Sequence, residues 1–211
     1  MRSLFSFILP LLLVSAIFAQ QKITEFHAGI LMPNSASNGF IGGIASGRAI
    51  DEQLAWLIEV DYYGKSYTEE TEVPQQDQGE IQPKLVTTMI DNTTTMIPLY
   101  FKLSYNTRLS PAIDLKFGAG IGYEFMWNSE TNYEKKVDET RFYSGFTWQA
   151  GAGLAFPISR SGDLFAEVSY HAGSPSRGEG ENAEGLPVRT EVDMSGIMIR
   201  GGIRIYDFGL F

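Results

Sequence analysis

The chain has 211 residues, of which 44% are hydrophobic and 13% aromatic, and its formal net charge is −9. This composition is that of a folded domain, and the negative charge argues against a nucleic-acid partner, which needs a basic surface to meet phosphates. The chain has no cysteine, so disulfides, thiolate metal sites and a cysteine nucleophile are excluded.

The opening stretch MRSLFSFILPLLLVSAIFA, residues 1–19, predicts a secretory signal peptide. Arg2 supplies the positive start, Leu4–Phe18 the apolar stretch, and Ala16 or Ala19 a small residue for cleavage. The apolar stretch is shorter than the about 20 residues that span a membrane, so a cleaved signal is favoured over an anchor. Residues 20–211 then form one mature domain, because no linker divides them.

The mature chain repeats a period of two, in which apolar and polar or glycine residues alternate, and this pattern predicts β-strands. In LAWLIEVDYYGKSY, for example, Trp56, Ile58 and Val60 share one face, whereas Glu59 and Asp61 share the other. Eight strands are predicted, at residues 22–32, 39–48, 54–67, 88–105, 112–127, 140–157, 163–173 and 191–206.

The connections between these strands alternate in length. Short turns at one rim and long loops at the other are typical of a transmembrane barrel, so we predict an all-β fold, an eight-stranded antiparallel transmembrane β-barrel of meander topology. The short connections are 49–53, 106–111 and 158–162, the long ones are 68–87, 128–139 and 174–190, and only the first loop, 33–38, departs from the alternation.

The apolar face of the strands is predicted to face lipid. A soluble sandwich or lipocalin-like barrel would also alternate, but with its apolar face inward and its charged face outward. Here the opposite face is rich in glycine, which contributes little to a soluble exterior. The aromatic residues near strand ends suggest a girdle at the lipid headgroups, formed by Trp56, Tyr62, Trp127 and Trp148.

If the apolar face meets lipid, the charged face points into the barrel. Arg200 and Arg204 then lie opposite the isoleucines of the last strand, inside the lumen. An eight-stranded barrel is just wide enough to be filled by side chains, and buried charges must pair. The predicted lumen ion-pair network comprises Glu25, Glu59, Asp61, Lys65, Lys102, Asp114, Lys116, Glu124, Glu167, Arg200 and Arg204, and His27 is expected to join it.

Several stretches resemble the small outer-membrane β-barrel proteins, the porin-family or OmpA/OmpX-like group of eight-stranded barrels. TMIPLYFKLSYN is similar to an Ile-Pro-Leu strand of that family, and LKFGAGIGYEF and WQAGAGLAF are similar to its glycine-rich strands. The resemblance implies insertion by the outer-membrane assembly machinery, which reads a terminal aromatic residue. Tyr206, Phe208 and Phe211 are the candidates for that assembly signal, although Tyr206 and Phe208 lie out of register with Ile203 and Ile205 unless a bulge intervenes.

No catalytic, cofactor or metal site is predicted. His171 has Ser174 nearby, but the carboxylate of Glu167 on the same strand face is about 13 Å away, too far to orient the imidazole. His171 is therefore interpreted as a histidine at the outer rim, beside a solvated serine. The glycines of GAGIG alternate inside a strand and do not open a helix, and the acidic loop TEETEVPQQDQGE lacks the ligand spacing of a calcium loop.

The expected function is that of a non-enzymatic, structural or surface-interacting barrel in the bacterial outer membrane. Its partners would be outer-membrane lipid, the assembly machinery and an extracellular ligand that contacts the acidic loops 68–87 and 174–190. KLVTTMI keeps some alternation, which suggests a hairpin that projects above the membrane with an exposed edge. Three alternatives remain open: a narrow or gated channel, a lipid A-modifying enzyme that uses His171, and a soluble periplasmic carrier.

Overall fold

The computed structural model describes residues 21–73, 85–133, 137–181 and 187–208. The signal peptide predicted for residues 1–19 lies outside this part of the chain. No helix among the described residues is long and apolar enough to cross a lipid bilayer.

The described chain is organised as strands joined by turns. The strands are β1 (Lys22–Pro33), β2 (Gly39–Ala49), β3 (Leu54–Val73), β4 (Leu85–Ser110), β5 (Ile113–Asn132), β6 (Val137–Ser159), β7 (Gly162–Gly173), β8 (Ser176–Glu181), β9 (Pro187–Glu191) and β10 (Gly196–Tyr206).

Eight of these strands close into a barrel. From β1 to β7 each strand pairs antiparallel with the next one along the chain, and β10 pairs with both β7 and β1. The predicted eight-stranded antiparallel barrel is therefore confirmed. β8 and β9 form a hairpin outside the ring, and it meets the barrel through one pairing, Ser144 with Ser176.

The barrel strands differ in length. β1, β2, β7 and β10 have 11 or 12 residues, about what a strand needs to cross a bilayer. β3, β4, β5 and β6 have 20, 26, 20 and 23 residues. At the short-turn rim these four strands end level with the other strands of the barrel. Their additional residues therefore extend beyond the long-loop rim. We call this four-stranded extension the tall sheet.

The side chains of the barrel alternate between an apolar outer face and a charged interior. On the outer face, Ile121 is 59% exposed and Ile199 is 50% exposed, whereas the inward-facing Glu59 and Lys116 are fully buried. This arrangement is the inverse of a soluble barrel and is the one expected where the outer face contacts lipid.

The interior is stratified into three layers. A buried apolar cluster lies toward the long-loop rim, a second lies at the short-turn end, and the charged residues lie between them. The first cluster, which we call the upper plug, comprises Leu31, Ile41, Tyr63, Met96, Met126, Tyr143, Met194 and Met198. The second, the lower plug, comprises Ile23, Ala45, Ala55 and Leu57.

Pro98 interrupts the pairing of β3 with β4. The register runs without a break to Val60 opposite Leu99 and resumes at Tyr63 opposite Met96. Proline has no N–H to donate to a neighbouring strand, which accounts for the gap on this side. On its other side Pro98 remains opposite Glu124 of β5.

Two sequence predictions about loops were wrong. Much of 68–87, 128–139 and 174–190 is β-structure, namely the tall sheet and the β8–β9 hairpin. Most of these residues are polar or glycine, so the period-two pattern did not extend the predicted strands through them. KLVTTMI is the exception, and its residues 85–90 pair with β3 as in the hairpin that its alternation suggested. The last strand was also predicted to begin at residue 191, whereas β10 begins at Gly196, because 192–195 fold over the barrel mouth with Met194 buried.

Candidate functional site

The charged layer of the interior is centred on Arg200. Its Nη2 donates to Glu167 Oε1 at 2.8 Å, and its Nη1 donates to Glu59 Oε1 at 2.8 Å and to Asp61 Oδ2 at 3.4 Å. Gln149 links two of these groups, because its Oε1 accepts from Arg200 at 3.2 Å and its Nε2 donates to Glu59 at 2.6 Å. One guanidinium therefore joins carboxylates from β3 and β7.

Two lysines extend this network towards the short-turn end. Lys102 Nζ lies 3.0 Å from Glu59 Oε2 and 3.5 Å from Glu167 Oε1. Lys116 Nζ lies 3.0 Å from Glu25 Oε2 and 3.4 Å from Glu167 Oε2, and 3.5 Å from the centre of the Phe165 ring. Each lysine thus bridges two carboxylates, and Glu167 is shared by both.

Arg204 closes the network at its lower end. Its Nε donates to Glu25 Oε1 at 2.7 Å, and its Nη2 donates to Ser104 Oγ at 2.8 Å. Nearby, the Tyr206 hydroxyl donates to Asp163 Oδ2 at 2.5 Å. The terminal strand β10 therefore contributes both arginines, and with them it connects β1, β3, β4 and β7.

The structure brings most of the predicted lumen residues together. Buried in the interior are Glu25, Glu59, Asp61, Lys102, Lys116, Glu124, Glu167, Arg200 and Arg204. The other two are half-buried at opposite ends of the barrel. Asp114 lies near the short-turn end, 3.7 Å from Arg108, and Lys65 lies on the tall sheet, with no ion pair to any described residue.

His27 belongs to the interior, where its Nε2 lies 2.5 Å from Asp61 Oδ1. His27, Glu59 and Asp61 offer ligand atoms that all lie within 4.8 Å of one another, the spacing of a metal site. However, Arg200 Nη1 lies 3.3 Å from His27 Nε2 and within 3.4 Å of both carboxylates. The guanidinium therefore occupies the position of a cation, and a metal ion would have to displace it.

His171 was predicted at the outer rim beside a solvated serine. Ser174 is exposed, but His171 lies inside the barrel, so its predicted position was wrong. Its side chain is 2% exposed and points inward. Nδ1 lies 2.7 Å from the Tyr100 hydroxyl, and Nε2 lies 3.1 Å from Glu124 Oε2 without hydrogen-bond geometry. Its carboxylate neighbour comes from β5 across the lumen and not from Glu167 on the same strand, which is engaged by Arg200.

Sequence reasoning missed several interior residues. It counted only charges on the inward face, so it omitted the neutral Gln149 and Tyr100, as well as the two apolar plugs. It also omitted Asp163, the first inward residue of β7, which is 4% exposed. The same parity that placed Glu167 inside would have placed Asp163 and His171 beside it.

The four predicted girdle residues all point away from the interior, but they do not share one position along the strands. Trp56 stacks on Phe101, with ring centroids 6.3 Å apart, and Tyr62 is 48% exposed. Trp127 packs on Phe142 at 5.3 Å. Trp148 is not near a strand end, because β6 continues into the tall sheet and leaves this residue at the middle of the strand.

The chain leaves the barrel just after β10. Tyr206 points inward to Asp163, out of register with the outward Ile203, as its parity indicated. Asp207 then adopts a φ of 60°, the left-handed conformation that ends the strand, and Phe208 is 53% exposed with its carbonyl accepting from Thr24 Oγ1 at 2.7 Å. Phe211 lies outside the described residues.

Solved structures of other proteins have a fold similar to that of this barrel. A major outer-membrane protein of Thermus thermophilus aligns with 89% of this chain and 99% of its own, with a TM-score of 0.55 and 13% identity. Neisserial surface protein A aligns with 88% of this chain and 96% of its own, with a TM-score of 0.51 and 13% identity. The fold is that of the small outer-membrane β-barrels.

The resemblance of the sequence to the small outer-membrane β-barrel proteins is thus confirmed at the level of the fold. No protein-family model matches the chain, and no curated protein matches it. Both proteins are 13% identical to this chain, and what they share with it is the arrangement of the backbone.

Proposed function

We propose that this barrel is a non-enzymatic, non-conducting protein of the bacterial outer membrane that displays the tall sheet and the β8–β9 hairpin at the cell surface. The observation that carries the proposal is the filled interior, in which two apolar plugs enclose a layer of paired charges. A barrel with such an interior anchors the protein in the membrane. Recognition of a ligand then depends on the segments that extend beyond the rim.

A channel is the first alternative, and it is tested by reconstitution into planar bilayers. Ion flow through the barrel would require both plugs and the Arg200 network to move, because these side chains are buried against one another. We expect no discrete conductance steps from the wild-type chain. Reproducible single-channel steps, absent from bilayers that received heat-denatured protein, would replace the proposal with a gated pore.

The proposed outer-membrane location is supported by the apolar outer face. A soluble periplasmic carrier would leave side chains such as Ile121, Val168 and Phe146 in water, where a contiguous apolar band is unfavourable. We expect the protein to stay in the membrane fraction after an alkaline wash. Its release into the supernatant, as for a peripheral protein, would favour the soluble carrier.

A lipid A-modifying enzyme is the third alternative, and it would use His171. That imidazole is enclosed by Tyr100 and Glu124 inside the barrel, whereas a lipid substrate would approach from the outer face or the rim. We expect mass spectra of lipid A from cells that express the wild type and His171→Ala to be identical. A modification present only with the wild type would identify an enzyme.

Display at the surface is supported by the free edge of β3. β2 pairs with β3 only as far as Gly64, so 65–73 have no partner on that side among the described residues. An exposed strand edge can recruit an extended partner by strand addition.

The test is to shorten the displayed segments. Replacing 70–88 and 177–190 with short turns should leave an inserted barrel and abolish attachment to surface ligands, because the barrel pairings lie below both cuts. Protease added to intact cells should cleave within 68–87 and 174–190 and spare 49–53, 106–111 and 158–162. Cleavage confined to the short turns would reverse the topology.

The assembly machinery is the remaining proposed partner. Phe208, exposed beyond the end of β10, and Phe211 are the aromatic residues available to it, whereas Tyr206 is turned inward. We therefore expect deletion of 208–211 to reduce insertion in cells but not refolding into detergent. Equal insertion with and without these residues would place the assembly signal elsewhere.

A further inference from the structure

A cavity of about 520 Å³ opens at the long-loop rim, directly above the upper plug. Its floor is formed by Tyr63, Met126, Tyr143 and Met194, all of them members of that plug. Its volume lies within the range of small-molecule sites, about 300–1,000 Å³. The cavity is therefore a cup closed at its base by the packed interior of the barrel.

The walls of the cup are amides and hydroxyls held in place by the strands. On the tall sheet, Asn128 Nδ2 donates to Asn92 Oδ1 at 2.8 Å and to Thr94 Oγ1 at 3.0 Å, which fixes three side chains across β4 and β5. The opposite wall is the first loop, where Ser37 O accepts from the Tyr63 hydroxyl at 2.6 Å. These bonds leave Asn92 Nδ2 and Asn128 Oδ1 without a partner among the described residues.

The cup differs in charge from the rest of the protein. The chain carries a net charge of −9, yet the fourteen residues that line the cup include one lysine, Lys65, and no aspartate or glutamate. Lys65 faces Thr94 across the strands and forms no ion pair within the described part of the chain. A single lysine with no carboxylate among the residues that line the cup matches a ligand with a single negative charge.

The floor of the cup is mainly apolar. Tyr143 is 5% exposed and packed in the upper plug. Together with the ring of Tyr63 and the two methionines, it presents an apolar surface at the base.

We propose that the cup binds a small hydroxylated monocarboxylate with an apolar face, of the size and chemistry of one hexuronic acid. Lys65 pairs with the carboxylate. Asn92 and Asn128 bond to hydroxyls, which both donate and accept as amides do. The C–H face of the ring lies on Tyr63, Tyr143 and the methionines. This inference rests on the proposed function, because the cup opens at the rim that the proposal places outside the cell.

The test is calorimetry on the full-length barrel refolded in detergent, titrated with glucuronate and, in parallel, with glucose. Glucuronate should bind at least about tenfold more tightly than glucose, which corresponds to one charge-assisted contact. Lys65→Met should reduce glucuronate affinity to that of glucose. The matched control is Arg189→Met, which removes an exposed cation outside the cup and should bind like the wild type.

Three outcomes would overturn the inference: no glucuronate binding, equal binding of the two sugars, or equal losses in the Lys65→Met and Arg189→Met variants. Each variant is first checked for the gel shift of a folded barrel, so misfolding is recognised separately. The proposed function has its own readout in the protease experiment on intact cells. A surface-exposed barrel that binds no glucuronate would therefore refute the ligand and leave the proposed function standing.

Discussion

Arg200 has the largest number of interior partners among the described residues. Its guanidinium joins Glu59, Asp61, Glu167, Gln149 and His27. Charges withdrawn from water repay their desolvation only when such contacts are complete, so removing one partner costs more than the pair contributes. We therefore expect substitutions on the inward face of β10 to change the stability of the barrel much more than substitutions on its outward face.

Arg200→Leu should destabilise the folded barrel by about 3–5 kcal/mol, because it leaves Glu59 and Glu167 buried without their guanidinium. Its neighbour Ile199 is 50% exposed on the outer face, so Ile199→Leu should be nearly silent. The measurement is reversible urea unfolding from lipid vesicles. Equal, mild effects of the two changes would show that Arg200 is not part of a packed ionic layer.

Glycines on the inward face make space for the charged layer, and Gly173 is one of them. A methyl group at this position would overlap the carboxylate of Glu124. Gly173→Ala should therefore cost about 1–3 kcal/mol, the usual cost of overpacking a core. The control is Gly178→Ala, where no atom lies within 4 Å of the added methyl group. Unfolding free energies that agree within error for the two variants would contradict this account.

At the scale of strands, the outer face of β5 reports which side meets lipid. Ile121 lies mid-strand and is 59% exposed. Ile121→Arg should destabilise the inserted barrel by about 2–4 kcal/mol, the cost of arginine near the bilayer midplane, whereas Ile121→Leu should have little effect. Both are measured by unfolding from vesicles. A stability unchanged by the arginine would mean that this face lies in water.

The strands of the barrel also differ in length. The lipid layer constrains only about 10 residues of each strand, so β4 can continue to 26 residues without a change in the barrel. The continuation is stable because β3–β6 pair with one another above the rim, and three linked strand pairs satisfy most of the backbone. The tall sheet is thus an outgrowth of the barrel and not a separate domain.

For the whole molecule, the closing pair β1–β10 joins the first and last strands of the barrel. With no free edge left in the ring, unfolding is expected to be cooperative and slow. The folded chain should therefore migrate faster on denaturing gels without heating than after boiling. A chain that ends at Ser195 lacks β10 and cannot close the ring, so its mobility should not depend on heating. Heat-independent migration of the intact chain would argue against a closed barrel.

The sequence by itself determined the number of barrel strands, their antiparallel order and the face of each strand that points outward. Those features follow from period-two alternation along strands such as β5. In that strand odd-numbered residues such as Ile121 point outward, and even-numbered residues such as Glu124 point inward. The same parity assigned the charged residues to the interior, because a charge on the other face would have met lipid.

The tertiary structure alone decided which charges meet. Glu124 and His171 are far apart in sequence and belong to different strands, and their 3.1 Å approach depends on barrel curvature and stagger. The cup around Lys65 and the full length of the tall sheet were likewise decided by the tertiary structure. KLVTTMI suggested one projecting hairpin, but most of the other residues above the rim are polar and show no hydrophobic period. Pairing with neighbouring strands holds these segments in place.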